Sequence, residues 1–276
     1  MSAGVQFDDE TTRQVVAAYE TEDAAQRREA VRQALQLKPG ERVIDIGTGP
    51  GFLAREMADA VGPGGHIQGV DTSEPMLKHA ATRCADRPWV RLERADATRL
   101  PVPNASFDAA VSVQVLEYVA EIETALAEMF RVLKPGGRAV VVATDWDSVL
   151  WHSVDVGRMK RVLKAFEGHC AFTNLPRTLG PKLVRAGFSS LRHGLVAQFN
   201  TTLSEQRFSR HLIRFVTSFV PGRHGIARAQ VEAWANELLE LSERGEYFFC
   251  LNQFLFRAEK PPGPSGAQHF RATTLR

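Results

Sequence analysis

A short apolar strand runs directly into a glycine turn and then a helix, and this stretch constrains the chain more than any other: Val43-Ile44-Asp45-Ile46-Gly47-Thr48-Gly49-Pro50-Gly51-Phe52. Such a turn presents backbone N–H groups to an anionic or polar ligand. Each glycine permits a positive φ, or a close backbone approach that a side chain would block. The pattern is G-x-G-x-G rather than G-x-G-x-x-G. A nicotinamide dehydrogenase needs its third glycine at position 52, where this chain has Phe52, and its strand tip is usually less acidic than Asp45. The first divergence favours a different nucleoside ligand. A glycine turn alone is often only a tight turn, so the landmarks after it decide its meaning.

Those landmarks come in order. A second apolar strand, Ile67-Gln68-Gly69-Val70, ends on Asp71, roughly 20 to 25 residues after the glycines, where an acid can accept both ribose hydroxyls. A third strand, Val90 to Arg94, leads to Ala95-Asp96-Ala97, and a fourth, Phe107 to Val113, runs into Gln114-Val115-Leu116-Glu117-Tyr118-Val119. Four strand ends converge on one edge. Asp108, inside the fourth strand, reads as a brace or cap without chemistry.

With these residues in place the chain resembles the class I S-adenosylmethionine-dependent methyltransferases, in particular the small-molecule branch of quinone, sterol and natural-product enzymes. The resemblance is specific over about residues 35 to 145 and looser elsewhere. It implies cofactor contacts from Asp45, Gly47, Thr48, Gly49 and Gly51 of the glycine loop, from Asp71 and Thr72 at the ribose, and from Met76, Asp96 and Ala97 around the adenine. Ser112 and Gln114 of the segment after the fourth strand complete the set. Tyr118 stands where many members carry histidine, a departure that bears on the acceptor rather than the cofactor. Glu128 to Arg138, with its Lys134-Pro135-Gly136-Gly137 turn, looks like the family's entry into the fifth strand. The implied fold is a doubly wound, Rossmann-like α/β domain with a seven-stranded sheet and an antiparallel last strand, extended by helical lid insertions and an N-terminal helix.

The division expected is an N-terminal helical cap (1–36), a cofactor-binding core (37–145), the rest of the core with a substrate lid (146–260, the lid at 146–175 and 203–245), and a flexible Pro/Gly/Ser-rich tail (261–276). In the cap, Val15, Val16, Tyr19, Val31 and Leu35 recur among helix formers. Tyr19 is its one tyrosine, and in similar enzymes an aromatic of this segment approaches the methionine end of the cofactor; plain core packing explains Tyr19 equally well. The first insertion brings Trp146, Trp151, His152, Phe166, His169 and Phe172 beyond the carboxyl end of the fifth strand, where residues face the binding crevice. In the second, Phe208, Leu212, Phe215 and Phe219 recur at helical spacing, followed by Val231, Trp234, Leu238 and Leu241.

An apolar lid suits methyl transfer, because a sulfonium donor is already activated and in-line displacement in a desolvated pocket needs mainly positioning and water exclusion. Trp146 and Trp151 are candidates to face a cationic centre, with ordinary packing as the alternative. Tyr118, Trp146, Trp151, His169, Phe208 and His211 form the expected acceptor site. Where an acceptor must lose a proton, His152 is the best-placed base, followed by Glu117, Glu167, His169 and His211. Arg158, Lys160, Arg161 and Lys164 fit an acceptor phosphate or carboxylate, though a solvated helix face explains them more simply.

The function expected is transfer of a methyl group from S-adenosylmethionine to a small, largely apolar acceptor: a natural product, isoprenoid or quinone-like metabolite. The alternatives are a non-catalytic nucleoside-binding regulatory module, and a methyltransferase for an amine or arsenic-type acceptor. Thirty-four basic and 32 acidic residues leave a formal charge of +2, with no basic stripe, and the motif that holds a flipped base is missing, so nucleic acid is not an expected partner. No stretch approaches the roughly 18 apolar residues of a membrane span and the start lacks a signal-peptide pattern, so a cytoplasmic protein is expected. Cys84, Cys170 and Cys250 are too few and too scattered for a disulfide framework or a zinc site, and no metal ligands are assigned, while the use of a general base or a metal stays open. The acceptor, the atom methylated and the oligomeric state stay open; the apolar lid helices would also suit a homodimer contact.

Overall fold

The computed structural model describes residues 9–263. The expectation of an N-terminus without a leader and most of the proposed tail fall outside them. The chain opens with α1 (Asp9–Tyr19) and α2 (Glu22–Leu35), then alternates β1 (Arg42–Ile46), α3 (Phe52–Val61), β2 (His66–Asp71), α4 (Glu74–Arg83), β3 (Val90–Arg94), β4 (Phe107–Val113), α5 (Ile122–Val132) and β5 (Leu133–Thr144). A two-residue strand β6 (Leu150–Trp151), α6 (Val156–Phe166), α7 (Pro176–Arg185), β7 (Ser189–Asn200), α8 (Phe208–Phe219), α9 (Arg228–Glu243) and β8 (Phe249–Glu259) complete it.

The sheet order is β3-β2-β1-β4-β5-β8, with β7 and the short β6 also on β8. β1 pairs in parallel with β2 and β4, β2 with β3, and β4 with β5. β8 is antiparallel to β5 and β7 and lies between them. This is the doubly wound sheet with an antiparallel last strand; β6 adds an eighth strand that the sequence reading did not include. Order reverses between β1 and β4, so their carboxyl ends open the crevice in which such sheets bind ligands.

Two-residue periodicity builds the two faces. Ile44 and Ile46 of β1, Ala110 of β4 and Ala139, Val141 and Ala143 of β5 pack with Leu126, Met129, Leu179 and Leu183. Val43, Ala109, Val111, Val140 and Val142 point the other way, onto Val31, Leu35, Ala54 and Met57. Asp108 accepts from the Arg42 N–H at 2.9 Å and from Lys134 Nζ at 2.7 Å, at the amino end of the sheet. It braces that edge.

The two insertions share a core of their own with residues of β6 and the start of β8. Trp151, Met159, Val162, Phe166, Leu212, Val216, Trp234, Leu238 and Phe249 bury one another. Trp234 is wholly buried, 5.4 Å from the Trp151 ring, whose Nε1–H donates to the Tyr247 hydroxyl at 2.9 Å. α1 packs on α8, so the N-terminal cap and the second insertion meet, and both contribute to the cavity wall.

Candidate active site

The glycine loop is held rigidly from below. Gly47, Gly49 and Gly51 all have positive φ, at 76°, 53° and 80°. A Cβ on Gly47 would stand 2.2 Å from Val115 Cγ2, and one on Gly51 2.8 Å from the Ala80 backbone. The close approach at those two glycines is therefore to the protein itself. Thr48 donates to Asp45 Oδ2 at 2.8 Å, and both are buried. Burial raises the Asp45 carboxyl to about 7.

Above the loop lies a cleft of about 410 Å³. Of the residues expected at the cofactor, Tyr19, Gly47, Gly49, Asp71, Thr72, Met76, Asp96, Ala97 and Gln114 line it, together with Ile46, Val70, Val115 and Tyr118. Asp45, Thr48, Gly51 and Ser112 do not: the first three support the loop from beneath, and Ser112 is fully buried in β4. Asp71 ends β2 with Oδ2 accepting from the Gly49 N–H at 2.8 Å and Oδ1 from the Ser73 N–H at 2.9 Å. Burial pushes its carboxyl up against those two bonds. Asp96 Oδ1 is tied to Thr98 through the N–H at 2.8 Å and the hydroxyl at 2.7 Å.

Through Tyr19, Gln114 and Tyr118 the cleft adjoins a second cavity of about 110 Å³. Its walls are Trp146 and the α8 face of Phe208, His211, Leu212 and Phe215, with Gln14, Val15 and Ala18 of α1 and Arg27 of α2. Gln114 turns from β4 into this wall with φ of 55°, in the left-handed region that non-glycine residues rarely occupy and that clusters at functional sites. Its Nε2 donates to Thr144 Oγ1 at 2.9 Å, and Gln253 Nε2 donates to the same oxygen at 3.1 Å. Gln198 Nε2 and Arg27 Nη1 in turn donate to Gln253 Oε1 at 3.2 and 3.4 Å.

Four residues expected at the acceptor are in this wall: Tyr118, Trp146, Phe208 and His211. Trp151 and His169 are not. Trp151 is clamped by Trp234 and Phe249 because β6 pairs with β8. His169 is fully buried, stacked on Phe166 at 3.9 Å, with Nδ1–H donating to the Phe166 carbonyl at 2.7 Å. Burial drives its pKa to about 4, so it is neutral packing. His152, the expected base, is exposed and lines neither the cleft nor the cavity; its backbone N–H pairs with the Phe248 carbonyl at 3.0 Å. Glu167 is also exposed and is tied to Lys164. Arg158 is spent on Glu237 and Asp155.

His211 is the histidine that lines the cavity. Nε2 lies 2.8 Å from the Glu205 carbonyl; a carbonyl only accepts, so Nε2 carries the proton and Nδ1 is left as the ring's acceptor. Glu117, fully buried, accepts from the Thr144 N–H at 3.2 Å through Oε1, while Oε2 has no partner. Burial raises it to about 7. Arg27 was overlooked by the sequence reading. The signal was available: Arg27 shares the four-residue stripe of Asp23, Val31 and Leu35 on α2, all of them buried. A charged residue on such a stripe needs an interior partner.

Residues 44–141 match a family model described as "Methyltransferase domain". The chain is 42% identical over 130 residues, 47% of its length and 38% of the relative's, to an uncharacterized 37.1 kDa protein in transposon TN4556 of Streptomyces fradiae. It is 40% identical over 121 residues to the demethylmenaquinone methyltransferase of Desulfitobacterium hafniense (strain Y51), covering 43% of this chain and 47% of that one. The chain thus spans about half or less of these relatives' own length. Among solved structures it is similar to the [4+2]-cyclase SpnF, with a TM-score of 0.56 and 26% identity over 87% of this chain and 83% of that one.

Proposed function

We propose, from the match of residues 44–141 to a methyltransferase-domain model, that the chain transfers the methyl group of S-adenosylmethionine to a small, largely apolar acceptor. The observation that carries this reading is the adjoining pair of spaces, a cleft at the glycine loop and a mostly apolar cavity sharing the walls Tyr19, Gln114 and Tyr118. The cleft falls within the range of small-molecule sites. Its residues also fit the nucleoside: carboxylates at Asp71 and Asp96, with apolar surface from Ile46, Val70, Met76 and Ala97 between them. Asp71 and Thr72 would hold the ribose, and Met76, Asp96 and Ala97 the base.

When bound, the cofactor supplies an activated methyl on a sulfonium. The protein's part is positioning and exclusion of water. Tyr19 reaches over the loop, its hydroxyl 4.0 Å from where a Cβ on Gly49 would stand, so the rings of Tyr19 and Tyr118 flank the passage between the two spaces. Trp146, Phe208, Leu212 and Phe215 keep the acceptor side dry. His211 Nδ1 is the acceptor for a hydrogen bond or a proton from the substrate.

The demethylmenaquinone methyltransferase relative supports a quinone-like ring as the first acceptor to try. None of the three cysteines lines either space, which weighs against an arsenic-type acceptor. The similarity to a [4+2]-cyclase favours one competing reading, ring closure of a substrate in the same cavity without methyl transfer. Calorimetric titration with S-adenosylmethionine, S-adenosylhomocysteine and NADH, followed by incubation of labelled S-adenosylmethionine with reduced quinones, separates them. Micromolar binding of the sulfonium pair with label in the product is the expected result. NADH binding, or no binding, overturns the reading; cofactor binding with an isomerised but unlabelled product would establish the competitor.

A further inference from the structure

A cavity built only to hold an apolar acceptor has no need of Arg27. The side chain is 1% exposed and lines the cavity beside Trp146, Phe208, Leu212 and Phe215. A guanidinium offers five donors. Here Nη1 makes one long bond to Gln253, Nε has no partner, and among the described residues no carboxylate forms an ion pair with it. The charges that act on it do so through space: Tyr19, whose ring centre is 5.5 Å away, Glu117 and Asp23, opposed by Arg28. Asp23 is already engaged by Asn200 Nδ2 at 3.0 Å and the Phe208 N–H at 2.7 Å, and Glu117 Oε1 by Thr144.

A buried cation with so little compensation costs stability unless a ligand completes it. Around it the amide donors are paired: Gln114, Gln198 and Gln253 each give an amide hydrogen to a neighbour. Arg27 is the cation of the cavity wall, and its Nε is unmet there beside the neutral Trp146 Nε1. We propose that Arg27 recognises the acceptor, and that the acceptor is an apolar, ring-sized molecule carrying one anionic oxygen, which the guanidinium holds by charge-assisted hydrogen bonds. A carboxylate and the oxyanion of an acidic enol or phenol share this chemistry. The inference rests on the methyl-transfer reading only for calling the ligand an acceptor.

Paired probes test it by calorimetry on the full chain at pH 7.5: 2-naphthoate against 2-naphthamide, and 2-hydroxy-1,4-naphthoquinone, an anion at that pH, against its 2-methoxy ether. Each is titrated into the protein alone and with saturating S-adenosylhomocysteine. At least one anionic probe is expected to bind on the order of tenfold more tightly than its neutral counterpart, the gain of one charge-assisted bond. Preference within the naphthoate pair identifies a carboxylate, and within the quinone pair an oxyanion. Arg27→Met should abolish the preference and leave S-adenosylhomocysteine affinity unchanged. It should also raise the melting temperature by about 2 °C or more, because a buried charge is removed. A merely structural arginine predicts the opposite shift. No preference in the parent protein, no anionic probe bound, a preference that survives Arg27→Met, or a lowered melting temperature overturns the proposal. Failure of S-adenosylhomocysteine to bind would overturn the methyl-transfer reading instead, and the titrations of the protein alone would still decide Arg27.

Discussion

In the cleft the polar groups are engaged before any ligand arrives: Asp71 by the N–H groups of Gly49 and Ser73, and Asp96 by Thr98. In the adjoining cavity Arg27 has one long hydrogen bond and an unpartnered Nε. The cleft is assembled by consecutive residues at strand ends, so the backbone that positions each carboxylate also supplies its partners. The cavity is assembled by α1, α2, α8 and the segment after β5, which are joined by apolar packing and by contacts distant in sequence, such as that of the Phe208 N–H with Asp23. A cleft of the first kind is specified by its own chain segment and serves one ligand. The second kind is adaptable, and an acceptor is chosen by whatever group is left unsatisfied there.

The largest effect should come from the core that carries the cavity. Trp234→Ala is expected to cost about 3–5 kcal/mol of stability, read by chemical denaturation, while the folded fraction keeps its affinity for S-adenosylhomocysteine. A parallel loss of that affinity would show that the two regions are not independent. Next is a pH effect. Glu117 and Asp45 are each raised to about 7 by burial, above their unfolded values, so the stability they contribute is complete below their unfolded pKa values and is lost as pH rises through 7. Between pH 5 and 8 the parent should therefore lose more stability than Glu117→Gln, by on the order of 3 kcal/mol. Equal pH dependence in the two proteins would mean that Glu117 is not held protonated in the fold.

Asp71→Ala should weaken S-adenosylhomocysteine about 100-fold, some 3 kcal/mol, for a lost charged acceptor. Calorimetry on the folded variant checks it, and unchanged affinity would remove Asp71 from the ribose. A smaller effect is expected at His211. If the acceptor arrives already ionised at its oxygen, His211→Ala should change the rate about tenfold, mainly through KM, because a group that orients substrate binds it without carrying its proton. A loss of the order of 10² to 10⁴ in kcat would make His211 a general base. His152→Ala, remote from both spaces, should leave activity within about twofold.

The differences between expectation and structure follow the same division. The places of Asp71, Asp96 and Met76 in the cleft wall were legible, because a parallel strand delivers its last residue to the crevice whatever the rest of the chain does. His152 and Trp151 were placed in the crevice by that rule, yet the chain after β5 turns back to pair β6 with β8, which buries Trp151 and leaves His152 outside. His169 is drawn into the Phe166 stack. Gly51 and Asp45 were read as ligand contacts because a sequence does not show whether a tight approach is to a ligand or to Ala80 and Thr48 of the same chain.

What the sequence by itself determined is the first strands and the residues at their tips, since alternation, glycine placement and the acid after each strand are local properties; the antiparallel last strand was implied only by the resemblance. Tertiary structure alone decided that Arg27, on α2 well before β1 in the sequence, meets Trp146 and His211 in one wall. The physical reason is that helices 180 residues apart are brought together by burying their apolar stripes, and the stripe records that a side chain goes inside without recording what it will meet there.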